Sequence, residues 1–194
     1  MTKRIGLTGG IACGKSEVTQ RLLQQGVPVL DSDHVAHQLL EPGNPVHKEV
    51  VRHFGEEVLD ECGGVNRQKL GKIVFEDPEQ LEKLNTLMHP EICRRWREWF
   101  LQQRTQIAVV AIPLLFEVGV EDDFDGILCV WAPEKIMVER LKKRNLTEKE
   151  ALLRIRAQMP VDLKVEKSTW TLTNNQSIPA LHQQVDAWVH QWIR

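Results

Sequence analysis

Several signals are missing from this sequence of 194 residues, and each absence argues against a class of protein. No apolar run reaches the roughly 20 residues that span a bilayer, and the N-terminus enters an apolar segment without a signal-peptide pattern. No block of basic residues stands out in a chain of formal net charge −2, so nothing indicates a nucleic-acid partner. We therefore expect a cytoplasmic protein with neither a membrane nor a nucleic-acid partner.

Cysteine is also scarce, and its spacing predicts neither a metal site nor a disulfide framework. No C-x-x-C pair occurs among the four cysteines, which are Cys13, Cys62, Cys93 and Cys129. We expect free thiols in a reducing compartment. Internal repeats and low-complexity tracts are absent as well. The length favours one domain with its own core and room for a small inserted subdomain.

The strongest positive signal is the segment Gly9–Ser16, which reads Gly-Gly-Ile-Ala-Cys-Gly-Lys-Ser. It matches the phosphate-loop pattern G-x-x-x-x-G-K-[ST] and lies between an apolar run and a helical pattern, as that motif requires. Glycine lets the backbone wrap a polyphosphate closely, and the N-terminus of the following helix favours anions. Lys15 would supply an ammonium for the phosphates, and the Ser16 hydroxyl is placed to ligate Mg²⁺. The residues predicted to bind ATP in this segment are Gly10, Ile11, Ala12, Cys13, Gly14, Lys15, Ser16 and Glu17.

Short apolar strands alternate with helical patterns along the rest of the chain, which predicts an α/β fold. We expect the three-layer α/β/α sandwich of P-loop NTPases, with a five-stranded parallel sheet. The predicted strands are Ile5–Thr8, Val27–Leu30, Ile107–Ile112, Gly126–Trp131 and Trp170–Thr173, and a C-terminal amphipathic helix runs to Ile193. The predicted core comprises residues 1–41 and 105–194, with a lid at about 138–160. A helical stretch, 42–104, lies between the second and third strands, where phosphate-loop kinases insert an acceptor-binding domain.

Two acidic residues follow the second predicted strand, in the segment Asp31-Ser32-Asp33. In a parallel sheet the carboxyl ends of the strands face the ligand crevice, which favours a role for these acids in chemistry. The alternative is that Asp31 or Ser32 only caps the helix that follows. We expect one role of each kind.

The predicted insertion contains a proline and a group of aromatic residues at helical spacing. His89-Pro90 predicts a junction between two helices, and a histidine at such a junction is either structural or part of an acceptor site. Trp96, Trp99 and Phe100 follow at helical spacing, which favours core residues over a platform that stacks bases.

Basic residues flank a break at Asn145-Leu146-Thr147, where Thr147 and Glu150 form a capping box. In an unrelated protein this pattern would indicate a solvated basic face. After a phosphate loop it predicts a lid of two helices that brings arginines over the phosphates. The arginines concerned are Arg140, Arg144, Arg154 and Arg156.

Taken together, these segments resemble the dephospho-CoA kinase family, and the resemblance runs nearly end to end. The residues that carry it are Leu7-Thr8-Gly9-Gly10-Ile11, the phosphate loop, Asp31-Ser32-Asp33, Arg67-x-x-Leu70, His89-Pro90, Pro113-Leu114-Leu115-Phe116-Glu117, Arg140-x-x-x-Arg144, Arg154-Ile155-x-x-Gln158, Lys164 and Asn174. The resemblance implies Mg²⁺-dependent transfer of a phosphoryl group from ATP to the ribose 3′-hydroxyl of dephospho-coenzyme A. That reaction is the last step of coenzyme A synthesis. The oligomeric state stays open.

The resemblance also implies roles for individual residues. Asp33 matches the proposed catalytic base, and Lys15 and Arg140 are the other predicted catalytic residues. The residues implied in the acceptor site are Asp33, His89, Leu115, Phe116 and Glu117. Arg144 reaches the phosphates and Asn174 lies near adenine.

Two departures from the family pattern concern the nucleotide. Ala12-Cys13 replaces the usual Gly-Ser in the loop, and Thr169 and Thr173 replace acidic residues near the adenine end. We expect the first to remove no key group and the second to soften the preference for one nucleoside.

Cys13 itself has two interpretations. Its place beside Lys15 and a helix N-terminus favours a reactive thiolate that ATP protects, whereas a small residue filling a serine position would carry an ordinary thiol.

Three other functions compete with this interpretation. Another small-metabolite or nucleotide kinase would turn over AMP, shikimate or a nucleoside instead. A phosphate-loop GTPase would need the guanine motif N-K-x-D, which this chain lacks. A catalytically inactive regulator would be expected to lack Asp33 or the lid arginines, and both are present.

Overall fold

The computed structural model describes residues 2–192, apart from the side chain of Phe75. Contacts divide the chain into two units, which we call the sheet unit and the helical unit. The sheet unit contains the residues up to Leu30 and those from Gln102 onward, and the helical unit is Asp31–Leu101.

The described helices are distributed over both units. In chain order they are α1 (Lys15–Gln24), α2 (Ser32–Leu39), α3 (Pro45–Phe54), α4 (Arg67–Glu76), α5 (Pro78–Gln102), α6 (Glu134–Lys142), α7 (Glu148–Arg156), α8 (Val161–Lys167) and α9 (Ile178–Val189). The predicted end of the last helix, Ile193, lies outside the described residues.

Five strands form one sheet, with the order β2-β3-β1-β4-β5. Strand β1 lies at its centre and pairs in parallel with both β3 and β4, and β4 pairs in parallel with β5. The strands are β1 (Lys3–Gly9), β2 (Val29–Asp31), β3 (Ile107–Ala111), β4 (Gly126–Trp131) and β5 (Trp170–Thr173). The predicted α/β fold with five strands is therefore confirmed, with strand ends that differ by one or two residues.

Alternation along β1 explains why helices cover both faces of the sheet. Ile5 and Leu7 belong to the buried cluster that α1 and α9 complete with Val18 and Leu181. The hydroxyl of Thr8 faces the other way and donates to the Pro113 carbonyl, which also accepts from α8. Because successive strand residues point to opposite faces, α1 and α9 cover one face and α8 covers the other.

The lid helices, by which we mean α6 and α7, meet at the break that the sequence predicts. The Thr147 hydroxyl accepts from the Glu150 amide, and the Glu150 carboxylate accepts from the Thr147 amide, which confirms the capping box. The helices join at Asn145, which has a left-handed φ of 65°. Asparagine tolerates that conformation better than most residues, so the turn is specified locally.

The helical unit confirms the core assignment for two of its three predicted aromatic residues. Trp96 and Phe100 are buried at 3% and 7% exposure, whereas Trp99 is half-buried. Met88, two residues before Pro90, is buried as well. Helical spacing in this segment therefore marks an inward face and not a platform for bases.

The predicted helix junction at His89-Pro90 is wrong, because α5 continues from Pro78 to Gln102 through Pro90. A proline inside a helix removes one backbone hydrogen bond, here to the Thr86 carbonyl. Pro90 and Thr86 are both exposed, so water reaches the unpaired carbonyl. Buried Met88 and Trp96 lie on either side of the proline, and packing of that face outweighs the local cost.

Replacing Pro90 by Ala should restore the missing hydrogen bond and raise the free energy of unfolding by about 2 kcal/mol. The gain is smaller than the full ~3 kcal/mol of a helix-interior proline, because alanine also gives the unfolded chain more freedom. Urea unfolding followed by circular dichroism measures it. Pro78→Ala is the matched control at the first residue of the same helix, where a missing N–H costs nothing, and should change little. A Pro90→Ala protein no more stable than Pro78→Ala would show that α5 is not continuous.

Candidate functional site

The phosphate loop leaves β1 at Gly9 and enters α1 at Lys15, and Gly14 caps the helix. Gly14 has a φ of 103°, which L side chains rarely adopt. A Cβ atom at this position would lie 2.1 Å from the Asn174 amide nitrogen. Both the backbone conformation and the close neighbour therefore require glycine at the second fixed position of the motif.

Carbonyl groups of the loop are held from outside by two side chains, Arg140 and Asn174. The guanidinium of Arg140 donates to the Ala12 and Cys13 carbonyls at 3.0 and 3.3 Å, and to the Asn174 backbone and side-chain oxygens at 3.2 and 2.9 Å. The Asn174 amide donates to the Cys13 carbonyl at 2.7 Å. Because the C=O and N–H of a trans peptide point in opposite directions, the Gly14 N–H faces away from these two side chains.

The first amides of α1 complete the anion-binding surface. The Glu17 and Val18 amides both donate to the Gly14 carbonyl, whereas the amides just before them belong to the helix N-terminus, where no intrahelical acceptor exists. The helix dipole adds partial positive charge at this end. Lys15 is half-buried and has no ion-pair partner among residues 2–192, so its charge is available to a ligand. Ser16 is exposed in the first turn.

Ala12 shows what the departure from the family pattern costs. Its φ of 59° is in the left-handed region, which costs a non-glycine residue about 1 kcal/mol or more. The hydrogen bond from Arg140 to its carbonyl holds it in this conformation. The loop therefore keeps its shape without the usual glycine, at a small cost in stability.

Of the two interpretations of Cys13, its burial favours the small residue with an ordinary thiol. Its side chain is completely buried, and its sulfur lies 3.3 Å from the Met137 sulfur. Burial raises the pKa of the Cys13 thiol, because the charged form loses hydration, and this outweighs the lowering effect of Arg140 nearby. Burial likewise raises the pKa of Cys129 to about 12. Cys13 behaves as a small packed residue.

The expectation that Thr169 and Thr173 both lie near the adenine end also needs correction, because these residues lie at opposite ends of β5. Thr169 precedes the strand, and its hydroxyl accepts from the Ile127 amide at 3.0 Å. Asn174 follows the other end, so roughly 17 Å of extended chain separates it from Thr169. Thr173 exchanges backbone hydrogen bonds with the Gln184 side chain. Thr169 is therefore a sheet-end residue that does not act together with Asn174.

The segment after β3 places one predicted acceptor residue in an ion pair. Leu115 and Phe116 are buried. Glu117 lies 2.8 Å from the Lys164 ammonium and accepts from the Met159 amide at 3.0 Å. Lys164 is completely buried, so its charge is held by this carboxylate and by the Pro113 carbonyl at 2.9 Å.

Two residues that contact the phosphate loop or the segment after β3 had no predicted role. Lys164 is one, and Gln158 is the other: its side-chain oxygen accepts from the Ile11 amide of the phosphate loop at 2.9 Å. Both are among the residues that carry the family resemblance. That was the available signal, but residue spacing alone does not say which loop a distant side chain meets.

In the helical unit, Asp31 takes the capping role that was expected for one of the two acids. The Asp31 carboxylate accepts from the Asp33 amide at 2.9 Å, which confirms that one of these residues caps the helix. Asp33 is exposed in the first turn of α2, and its carboxylate makes no ion pair within the described part of the chain. His89 is half-buried on α5. The reactive roles of Asp33 and His89 stay predictions.

The predicted lid arginines differ in their hydrogen bonds and in their exposure. Both terminal nitrogens of Arg140 are hydrogen-bonded to the loop and to Asn174. Arg144, Arg154 and Arg156 are exposed. Direct contact of Arg140 with a transferring phosphate stays a prediction, and its present bonds support a role in holding the loop.

Comparison with known sequences identifies the family. The sequence model described as Dephospho-CoA kinase matches residues 3–180. The chain belongs to the dephospho-CoA kinase family. A Dephospho-CoA kinase of Listeria monocytogenes is 41% identical over 198 residues, which cover 100% of this chain and 99% of that relative. A Dephospho-CoA kinase of Bdellovibrio bacteriovorus is 40% identical and covers 98% of this chain and 96% of its own length.

A solved structure extends the likeness to the fold. The crystal structure of TT1252 from Thermus thermophilus is 36% identical, with a TM-score of 0.87, and the match covers 100% of this chain and 99% of that one. Dephospho-CoA kinase family members and this chain thus share sequence over the phosphate loop, the helical unit and the lid helices.

Two kinds of feature, a membrane-spanning helix and a cluster of metal ligands, are absent from the described residues. Between residues 2 and 192, no helix combines the length and apolar character needed to cross a membrane. The same residues contain no group of three or more His, Cys, Asp or Glu side chains arranged to hold a metal ion.

In the native protein, buried cysteine thiols should be alkylated more slowly than exposed ones. We expect Cys62, which is exposed, to react with iodoacetamide well before Cys13 and Cys129, which are buried. Mass spectrometry of peptides after timed labelling measures the order. Unfolding in urea should equalise the rates, and this is the control. Labelling of Cys13 as fast as that of Cys62 in the native protein would contradict the buried position of its thiol.

Proposed function

We propose that this chain transfers the γ-phosphoryl group of ATP to the ribose 3′-hydroxyl of dephospho-coenzyme A, giving coenzyme A and ADP. The observation that carries the proposal is the phosphate loop of a dephospho-CoA kinase family member, whose carbonyls are bonded to Arg140 and Asn174. The loop amides other than those of Ile11 and Cys13, which have partners within the chain, remain for a polyphosphate together with the ammonium of Lys15. Such a loop suits a nucleoside triphosphate, and membership of the family selects the acceptor.

Phosphoryl transfer needs positioning and neutralisation of charge more than covalent chemistry. Lys15 would contact the β- and γ-phosphates, where negative charge shifts during the reaction. Arg140 would act through the loop it holds, and exposed Arg144, in the turn that follows α6, would add charge when the lid helices close. Closure would also exclude water, which otherwise accepts the phosphoryl group.

Mg²⁺ accompanies ATP in such reactions, and the residues present fit it. The ion takes few protein ligands and keeps several waters, so a single exposed hydroxyl in the first turn of α1 is a suitable ligand. Ser16 would hold it there. When bound, the ion would neutralise part of the charge on the nucleotide phosphates.

Asp33 is our candidate for the group that accepts or orients the proton of the acceptor hydroxyl. The contacts at the start of α2 support this role. Asp31 is engaged as the N-cap, whereas the Asp33 carboxylate is exposed. His89, Leu115, Phe116 and Glu117 are proposed to bind dephospho-coenzyme A, as the family resemblance implies.

The proposed function is tested by ADP release with a panel of acceptors. Dephospho-coenzyme A should be phosphorylated in a Mg²⁺-dependent reaction, with a product identical to coenzyme A by chromatography and mass spectrometry. AMP, shikimate and nucleosides should give no more than the ATP hydrolysis seen without acceptor. Preference for one of those acceptors would overturn the assignment.

Lys15→Ala provides the matching test of the site. Because Lys15 would contact charge that grows in the transition state, turnover should fall by roughly 100-fold or more while circular dichroism stays unchanged. Lys3→Ala is the control, since it removes an exposed lysine at the start of β1. Near-normal turnover in a folded Lys15→Ala protein would contradict the role of the loop.

Replacing Asp33 by Asn tests the proposed base, since asparagine keeps the shape but cannot take a proton. We expect roughly 100-fold slower turnover, with little change in the affinity for either substrate by isothermal titration calorimetry.

Asp31→Asn is the matched control for Asp33→Asn. Asparagine caps a helix as well as aspartate does, so this variant should keep nearly full activity and stability. An inactive Asp31→Asn beside a normal Asp33→Asn would reverse the assignment of the two acids, and full activity of both would exclude a general base at this position.

A further inference from the structure

Lys164 carries a positive charge in the interior of the sheet unit. Its side chain has 0% exposure, and it is the only charged residue among the buried polar ones in the described part of the chain. Removing an ammonium from water is strongly unfavourable unless it is paired and hydrogen-bonded. A hydrophobic residue would fill the same space at lower cost, so the charge needs an explanation.

The partners of Lys164 lie where the central strands end. Its ammonium donates to the Pro113 carbonyl at 2.9 Å, and the Thr8 hydroxyl donates to the same carbonyl at 3.2 Å. Thr8 is the residue before Gly9, at which the phosphate loop begins. The ammonium therefore binds the end of β3 at the level where β1 enters the loop.

Glu117 is the second partner, at 2.8 Å from the ammonium, and it has a further bond of its own. The same carboxylate oxygen accepts from the Met159 amide at 3.0 Å. Met159 belongs to the connecting turn, by which we mean residues 157–160 between α7 and α8. The Glu117 side chain is 22% exposed, so without the ammonium water would compete for this carboxylate.

The connecting turn is bonded to the phosphate loop by the residue next to Met159. The Gln158 side chain accepts from the Ile11 amide at 2.9 Å. Two adjacent residues at the end of the second lid helix are thus fixed, one to the phosphate loop and one to the carboxylate held by Lys164. This continuous set of bonds runs from Lys164 through Glu117 and the connecting turn to Ile11.

We propose that Lys164 is a positioning residue that, by holding Glu117, fixes the connecting turn against the phosphate loop and so sets how the lid helices close over ATP. The inference rests on the proposed kinase function for its kinetic consequences. Lys164 acts through Glu117 and Gln158, and it does not touch the reacting atoms.

The kinetic test compares Lys164→Met, Gln158→Leu and the double variant. Loosening the turn at either end should raise the KM for ATP and the ratio of ATP hydrolysis to phosphoryl transfer by roughly fivefold. The two substitutions interrupt one set of bonds, so the double variant should be no worse than the worse single variant. Additive effects would overturn the proposal.

Leu181→Ala is the control for a merely structural role. Leu181 is buried under α9 on the other face of the sheet, and its truncation destabilises the protein without touching the turn. We expect Leu181→Ala to keep the KM for ATP and the hydrolysis ratio of the native protein. If Lys164→Met and Leu181→Ala behave alike in these two measurements, Lys164 serves stability alone and the proposal is overturned.

Hydrogen exchange without acceptor tests the positioning independently of the reaction. The Met159 and Ile11 amides should be protected in the native protein, and both should exchange faster in Lys164→Met but not in Leu181→Ala. Unchanged exchange at Met159 in Lys164→Met would overturn the proposal. A protein that fails to phosphorylate dephospho-coenzyme A would contradict the proposed function, and the exchange result would still decide the role of Lys164.

Discussion

The structure depends on one constraint, which is that a short loop must turn its peptide N–H groups towards a common point. Such a loop leaves some of its carbonyls without partners of its own, and buried carbonyls without partners are costly. Arg140 and Asn174 supply the partners from outside the loop. One comes from α6 and the other from the end of β5, so elements far apart in sequence converge on Ala12 and Cys13.

This constraint also explains the polar residues in an otherwise apolar interior. Asn174, Thr8 and Lys164 are the buried polar side chains of the sheet unit within the described residues, and each donates to a carbonyl near the end of β1 or β3. Elsewhere in the core the strands present Val, Ile, Leu and Ala. These three buried polar side chains thus lie where the backbone leaves a regular strand and needs donors.

Local features of the fold could be predicted from the sequence. The phosphate loop, the Thr147 capping box and the role of Asp31 as a cap each depend on residues within a few positions of one another. Strand positions followed from apolar runs because both faces of a sheet under helices are buried. These are the cases in which spacing along the chain determines spacing in the structure.

The predictions that failed concern residues whose state depends on packing against distant parts of the chain. Pro90 favours a break, but buried residues on the same face of α5 keep the helix continuous. Cys13 lies beside a helix N-terminus and a lysine, yet its burial against Met137 decides the state of the thiol. Lys164 and Gln158 could be noticed in the sequence, but their partners, Glu117 and Ile11, lie far away along the chain. No local pattern specifies such partners.

The sheet order has a consequence for how the protein is made. Strand β1 is synthesised first, but its neighbours come late: Lys3 pairs with Ile107, and Ile5 pairs with Gly126. Chain closure over such distances is slow, and a ribosome adds only about 5–20 residues per second. Strand β1 and the phosphate loop therefore have no neighbouring strands for several seconds, until β3 and β4 have emerged. The nascent chain can complete its nucleotide site only after these later strands and Asn174 have emerged, whereas the helical unit, Asp31–Leu101, is synthesised before them.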